Sequence, residues 1–502
     1  MTRVPTVRIE QGELRGVWRG DSAAFLGIPF AEPPVGPNRF GAPVPAVGWQ
    51  GVRDATTYGP TAQRRPFGEV TAIPEPSIPG AATLNVNVFT PAPGDPAAKL
   101  PVFVWIHGGG FKAGSPASPW YDGFAFNRDG IVTVTLSYRL GFDGFGWIAD
   151  APDNRGLLDQ IAALRWVRGN VGAFGGDPGT VTIGGQSAGG GSVLALLLAP
   201  AARGPFRAAI SHSGALDDLP LDRARAFGEE LAANAGVAPT RSGLGTLSED
   251  QILDLQDEVG LAPPPTSLSA LVGGLTGDGN ALGGLPFRPY VDGAVLPMGV
   301  PDSPDTGSPD TGSPHMGSPA IAAAADVPLI IGSTAHEFTM IGVTFAPLVA
   351  GADLRALLRD RLGPRADDYL AAYSGLPGGP EMILGQLITD ATFRSKVVRW
   401  ADARRGPTWT YDFRFAGPTG MALHCADLPF AWDNLGAELV EASDGPNPPQ
   451  ALADAMHGAW VQFITGQVAP WPAWDSGATT MIFDRASAAG PGYVHERRAI
   501  VG

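Results

Sequence analysis

Short runs of β-branched and aromatic residues alternate along the chain with stretches of helical period. Val102-Phe103-Val104-Trp105-Ile106 is apolar at every position, as expected of a strand buried on both faces. Ile131–Leu136, Thr180–Ile183, Ala208–Ile210, Val327–Ile331 and Thr408–Phe415 follow the same logic. Between them, Asn154–Val171 places Leu157, Leu158, Ile161, Leu164 and Val167 on one side of a helix, and Ala188–Leu198 reads as a second helix. Strand–helix–strand order of this kind predicts an α/β fold: a large, mostly parallel central sheet with helices on both faces.

Two segments break the pattern. Residues 63–82 are rich in Pro and Gly and predict a surface loop. In residues 302–319, Ser303-Pro304-Asp305-Thr306-Gly307 recurs as Ser308–Gly312 and, altered, as Ser313–Gly317. A repeat without an apolar face cannot offset its ordering entropy, so a mobile surface insertion without catalytic function is expected there, and His315 inside it should be inert. The sequence on either side reads as one continuous fold, which makes the whole chain, 1–502, a single expected domain.

Composition narrows the function. The chain has 502 residues, 44% of them hydrophobic and 17% charged, enough for a large core. Its 69 Gly and 49 Pro imply many loops on a large scaffold, an arrangement that favours an enzyme. Basic residues number 34 against 49 acidic, a net charge of −15, and no basic stripe is present. A nucleic-acid partner is therefore excluded. The single cysteine, Cys425, permits no intrachain disulfide and no Cys-rich zinc site; beside a histidine, it reads as a small buried hydrophobe. The longest apolar stretch, Val193–Ala202, is about half of what a bilayer span requires. The first residues lack a secretory apolar core. A cytoplasmic protein is expected.

The chemistry is concentrated in two glycine-rich turns. Gly185-Gln186-Ser187-Ala188-Gly189 is a G-x-S-x-G lying between a predicted strand and a predicted helix. A sharp strand-to-helix turn of that kind exposes the serine hydroxyl, with the helix N-terminus behind it. His107-Gly108-Gly109-Gly110-Phe111 directly follows the strand 102–106. Glycines let main-chain N–H groups approach a developing oxyanion closely. His107 should brace this loop. These residues point to acyl transfer with Ser187 as nucleophile. For its partners, spacing alone leaves Glu337 in competition with Asp390 for the acid, and His424 with His212 and His457 for the base.

The sequence resembles the type-B carboxylesterase family, the cholinesterase-like branch of the α/β-hydrolases. Phe25-Leu26-Gly27-Ile28-Pro29-Phe30-Ala31, Ser137-Tyr138-Arg139-Leu140-Gly141, Asp153–Gln160 and Phe174-Gly175-Gly176-Asp177-Pro178 look like its signatures. The resemblance implies an α/β-hydrolase fold and a serine carboxylesterase acting on small-molecule esters. It assigns Glu337, in Ser333-Thr334-Ala335-His336-Glu337, as the acid and His424, in Met421-Ala422-Leu423-His424-Cys425, as the base. It places the oxyanion hole at the N–H groups of Gly109, Gly110 and Ala188, with Ser213 and Asp427 in support. It implies no metal or organic cofactor and a monomer or weak homo-oligomer. Its glycine loop is of a type associated with bulky, even tertiary, alcohol esters, and Phe111, Trp105 and Phe287 are expected near the pocket. Amide, carbamate or lactone hydrolysis on the same residues is the alternative activity; a catalytically dead binding protein of the same fold is the rival from another class. Activity is expected to rise through an ionisation near the ordinary His value of about 6.5. The sequence also departs from the family. Thr83 stands where relatives have a cysteine, and the acid that would pair with Arg39 is missing, which counts against a choline-type site.

Overall fold

The computed structural model describes residues 4–68, 71–214, 219–260, 267–271, 285–297, 324–475 and 477–497. The repeat at 302–319, His315 included, lies outside them. Among the described residues an eleven-stranded sheet runs in the order Ala488–Pro491, Thr479–Phe483, Thr408–Phe413, Leu329–Thr334, Ala208–His212, Gly176–Gln186, Leu100–Ile106, Val132–Leu136, Asn85–Thr90, Ser22–Pro29, Val17–Arg19. The strands from Thr479–Phe483 through Val132–Leu136 are parallel. Antiparallel strands close both ends. A small sheet of Thr6–Ile9, Gly12–Arg15 and Val52–Asp54 stands apart.

The central strands show why they read as unbroken apolar runs. In Leu100–Ile106, Val102, Val104 and Ile106 enter one core, while Phe103 and Trp105 enter another. The first core is filled by Leu157, Ile161 and Leu164 of helix Arg155–Asn170 and by helix Ala188–Leu198. The second is filled by helix Gln450–Gly466, including Met456, Trp460 and Phe463. Both faces are therefore covered by helices, as the strand–helix alternation predicts.

Two charged groups stand out. Arg39 pairs with Asp143 at 3.1 Å and with the Leu247 carbonyl at 2.7 Å, so a different acid takes the role of the missing partner. Asp444 is 3% exposed, and neither carboxylate oxygen has a hydrogen-bond partner of good geometry among the described residues. Burial pushes its pKa up to about 8, with only the Ser443 hydroxyl pulling the other way at close range. As pH rises from the unfolded value of about 4 towards 8, the folded state keeps a proton that the unfolded state has lost, so stability falls over that window. Asp444→Asn removes this titration. We expect the variant to melt at a higher temperature than the parent at pH 8, by an increment worth a few kcal/mol at most, and the gap to narrow towards pH 4. Thermal melts at both pH values check this; a gap independent of pH contradicts it.

Candidate active site

Strand Gly176–Gln186 passes directly into helix Ala188–Leu198 through Ser187, whose backbone sits at φ 57°, ψ −122°. That conformation is unfavourable for a residue with a Cβ and persists only where its surroundings enforce it. Here the Ser187 N–H donates to the His212 carbonyl at 2.9 Å, and its own carbonyl accepts from Gly191 at 2.8 Å. The flanking glycines make room. A Cβ at Gly185 would lie 2.4 Å from the Gly189 oxygen, and one at Gly189 would lie 2.0 Å from the Ile106 oxygen. The small residues of the motif are thus set by the closeness of three main-chain segments.

The glycine loop leaves the end of Leu100–Ile106, the neighbouring strand, and lies beside Ser187: a Cβ at Gly108 would be 3.1 Å from the Ser187 Cβ. Gly109 and Gly110 adopt φ 107° and 59°. The N–H groups of Gly109, Gly110 and Ala188 meet no acceptor among the described residues. His107 braces the loop, as expected. Its Nδ1 donates to the Gly108 carbonyl at 2.9 Å, its ring stacks on Tyr138 at 4.6 Å, and the Tyr138 hydroxyl donates to the His107 carbonyl at 2.9 Å. Burial lowers its pKa to about 4, so the ring is neutral.

Glu337 follows strand Leu329–Thr334 and is 2% exposed. One of its carboxylate oxygens accepts from the Thr334 N–H at 2.8 Å; the other accepts a short hydrogen bond from His424 Nδ1. The two loops are also joined by main chain. The His424 N–H donates to the Glu337 carbonyl and the His336 N–H to the Ala422 carbonyl, both at 3.0 Å. Phe338 and Phe393 flank the imidazole, with ring centroids 4.7 and 5.1 Å away. Burial opposes the imidazolium, but Cys425 and Glu337 beside it outweigh burial and hold its pKa well above the ordinary value. Burial in turn raises the Cys425 thiol's own pKa. The Nε2 of His424 lies 3.1 Å from the side-chain nitrogen of Gln186, the residue before Ser187. No hydrogen bond joins it to Ser187 itself among the described residues.

The competing residues are engaged elsewhere. Asp390 accepts from Tyr369 and Gln386, each at 2.8 Å, and lies 3.4 Å from Arg394. His457 bridges the Ala431 carbonyl at 3.0 Å and Asp129 at 2.9 Å. His212 donates from Nδ1 to Asp427 at 2.8 Å and accepts at Nε2 from Trp460 at 2.8 Å. Asp427 also accepts from the Tyr411 hydroxyl at 2.8 Å. It therefore anchors the turn after His424 to the sheet without a hydrogen bond to His424. Ser213 sits at φ 47°, donates its N–H to the Gly332 carbonyl at 2.7 Å, and has a buried hydroxyl with no partner among the described residues.

Three features of the surroundings have no signal in the sequence. Gln63 is buried; its amide donates to the Glu75 carbonyl at 3.0 Å and its side-chain oxygen accepts from the Gly114 N–H. Arg64 and Arg65 reach Glu249 and Asp254 at 3.0 and 2.7 Å. The segment 63–82 is thus tied to the glycine loop and to helix Glu249–Glu258 by polar contacts. Phe111, Trp105 and Phe287 are core residues, between 1% and 5% exposed. The apolar groups set against Gly110 are instead Phe67 and Leu285, 2.5 and 3.4 Å from where a Cβ would stand.

Residues 3–357 match the Carboxylesterase family. The chain is 33% identical to para-nitrobenzyl esterase of Bacillus subtilis (strain 168), over 95% of this chain and 94% of that one. It is 31% identical to phenmedipham hydrolase of Pseudarthrobacter oxydans, over 96% of each. The crystal structure of a Geobacillus stearothermophilus carboxylesterase superposes with a TM-score of 0.78 at 31% identity, covering 99% of this chain and 100% of that one.

Proposed function

The chain belongs to the carboxylesterase family, has the α/β-hydrolase fold and is a carboxylic ester hydrolase, and from that premise we propose that Ser187, His424 and Glu337 carry its catalysis. The observation that supports this most is the Glu337–His424 hydrogen bond, which turns the free imidazole nitrogen towards the residue next to the strained Ser187. Ser187 Oγ attacks the ester carbonyl while His424 Nε2 takes its proton. Glu337 fixes the Nδ1–H tautomer and stabilises the imidazolium. The N–H groups of Gly109, Gly110 and Ala188 receive the oxyanion. His424 then protonates the leaving alcohol. Water, deprotonated by the same nitrogen, hydrolyses the acyl-enzyme.

Small, largely apolar esters are the substrate class, because Phe67, Leu285, Phe338 and Phe393 stand around the reacting groups. Para-nitrobenzyl esters and phenmedipham, for which two relatives are named, are the first compounds to try. A panel of p-nitrophenyl esters, carbamates, lactones and anilides ranks the alternatives. An organophosphate should label one residue, Ser187, and abolish hydrolysis in proportion. Hydrolysis that persists in fully labelled protein overturns the assignment.

The pH profile follows from the charge on His424. The base must be neutral, and its pKa stands above the ordinary value. We therefore expect kcat/KM to fall as pH drops through a single ionisation lying above about 6.5, a shift from the value the sequence suggests. A profile with its midpoint at or below 6.5 contradicts this.

We take residues 1–502 as one domain, since strands from near both termini share one sheet. Among the described residues no single helix is long and apolar enough to cross a membrane. A cytoplasmic, monomeric or weakly oligomeric enzyme completes the reading, with the single cysteine as its support.

A further inference from the structure

Gln186 ends the strand that carries Ser187 and is 1% exposed. Its side-chain nitrogen is 3.1 Å from His424 Nε2 and 3.0 Å from Cys425 Sγ. A carboxamide has two N–H donors, and here two acceptors are in reach. The sulfur is a weak acceptor, while the imidazole nitrogen accepts only when it carries no proton. Glu337 independently requires the proton to be on Nδ1. Glu337, in the turn after its strand, fixes a proton on Nδ1, and Gln186, at the end of a different strand, favours a bare Nε2; the two contacts together define the neutral ring protonated at Nδ1, with its lone pair at Nε2.

We propose that Gln186 is a positioning residue that holds His424 in its proton-accepting form by donating to Nε2, and that it yields this place to the Ser187 hydroxyl when substrate binds. This rests on the assignment of Ser187 and His424 above. During acylation the Ser187 proton passes to Nε2. The resulting N–H then needs an acceptor until it is delivered to the leaving alcohol. Rotation of the Gln186 carboxamide about its last torsion offers its oxygen for that purpose. The same side chain thus fits both protonation states, which neither a carboxylate nor a hydrocarbon does. The other groups facing His424 are accounted for. Glu337 favours the cation, Cys425 is a buried thiol, Asp427 is engaged by His212 and Tyr411, and Phe338 and Phe393 are uncharged.

Gln186→Glu and Gln186→Leu test this. A carboxylate at 186 favours Nε2–H and hence the imidazolium. We expect the acid limb of kcat/KM for Gln186→Glu to move up by one pH unit or more. Measured against each protein's own plateau, that is a tenfold or greater loss at pH 6. Gln186→Leu removes the donor to the neutral ring and should move the limb the same way by less. The wild-type protein supplies an independent readout: ¹⁵N NMR of the histidine side chains should find His424 Nε2 unprotonated above the limb. An acid limb unmoved in both variants, a downward shift in Gln186→Glu, or a neutral ring protonated at Nε2 overturns the proposal. If an organophosphate fails to label Ser187, the triad assignment fails first. If Ser187 is labelled and the limb stays in place, only the role of Gln186 is lost.

Discussion

Ser187→Ala is expected to lower kcat on a simple aryl ester by roughly four to six orders of magnitude, because nucleophile and base act as a unit and removing one disables the other. The folded state should survive. The Ser187 side chain makes no capping hydrogen bond to the helix behind it, and the contacts that enforce the turn are main-chain ones, from its N–H to His212 and from Gly191 to its carbonyl. Alanine keeps a Cβ, so the cost of holding φ 57° without a glycine is already present in the wild type. The melting temperature should stay within a few degrees, and the variant should resist organophosphate labelling. Retention of more than about a tenth of wild-type kcat would sink the assignment of Ser187, since the background left by the oxyanion donors and substrate binding alone is far smaller.

The parts of this protein that were legible in the sequence are those where a local pattern and a physical need coincide. Helix Ala188–Leu198 and strands Leu100–Ile106 and Val132–Leu136 appear within a residue or two of their expected limits, because burial on both faces demands unbroken apolar runs. The apolar run predicts the strand before Glu337 at 327–331, and the strand spans Leu329–Thr334. Its last residues, Ser333 and Thr334, look like loop by composition but pair with Asp412 and Phe413 in the sheet. Gln186 occupies the unspecified position of its motif, and its meaning comes from His424 and Cys425, more than two hundred residues away. Gln63 and Phe67 acquire their roles the same way, by contact with a glycine loop some fifty residues downstream. The upward shift of His424 was also out of reach, since it depends on the distance to Glu337 and on how far both are removed from water. Residue types announce chemistry; only the fold sets its strength.

Gly109→Ala is the second change with a large expected effect, and it tests the proposed oxyanion loop separately from the proposed nucleophile. At φ 107° the added Cβ would stand 2.2 Å from the Ala113 oxygen, 2.4 Å from its carbonyl carbon and 2.7 Å from the Gly114 nitrogen. All three are backbone atoms, so no side-chain rotation relieves the clash and the loop itself must move. The Gly109 and Gly110 N–H groups move with it, away from the position the oxyanion would occupy under the proposed assignment. Loss of such a donor costs about 10²–10³ in kcat, and we expect a fall of that order, with organophosphate labelling slowed in parallel because phosphonylation uses the same hole. Gly204→Ala is the control. Its φ of 93° imposes comparable backbone strain, but the nearest atom to the new Cβ is an Arg168 side-chain nitrogen at 3.6 Å. That variant should lose of order 1–2 kcal/mol in stability and keep its kcat. Equal activity in the two variants would mean that the glycine loop contributes shape alone and that the oxyanion is held elsewhere.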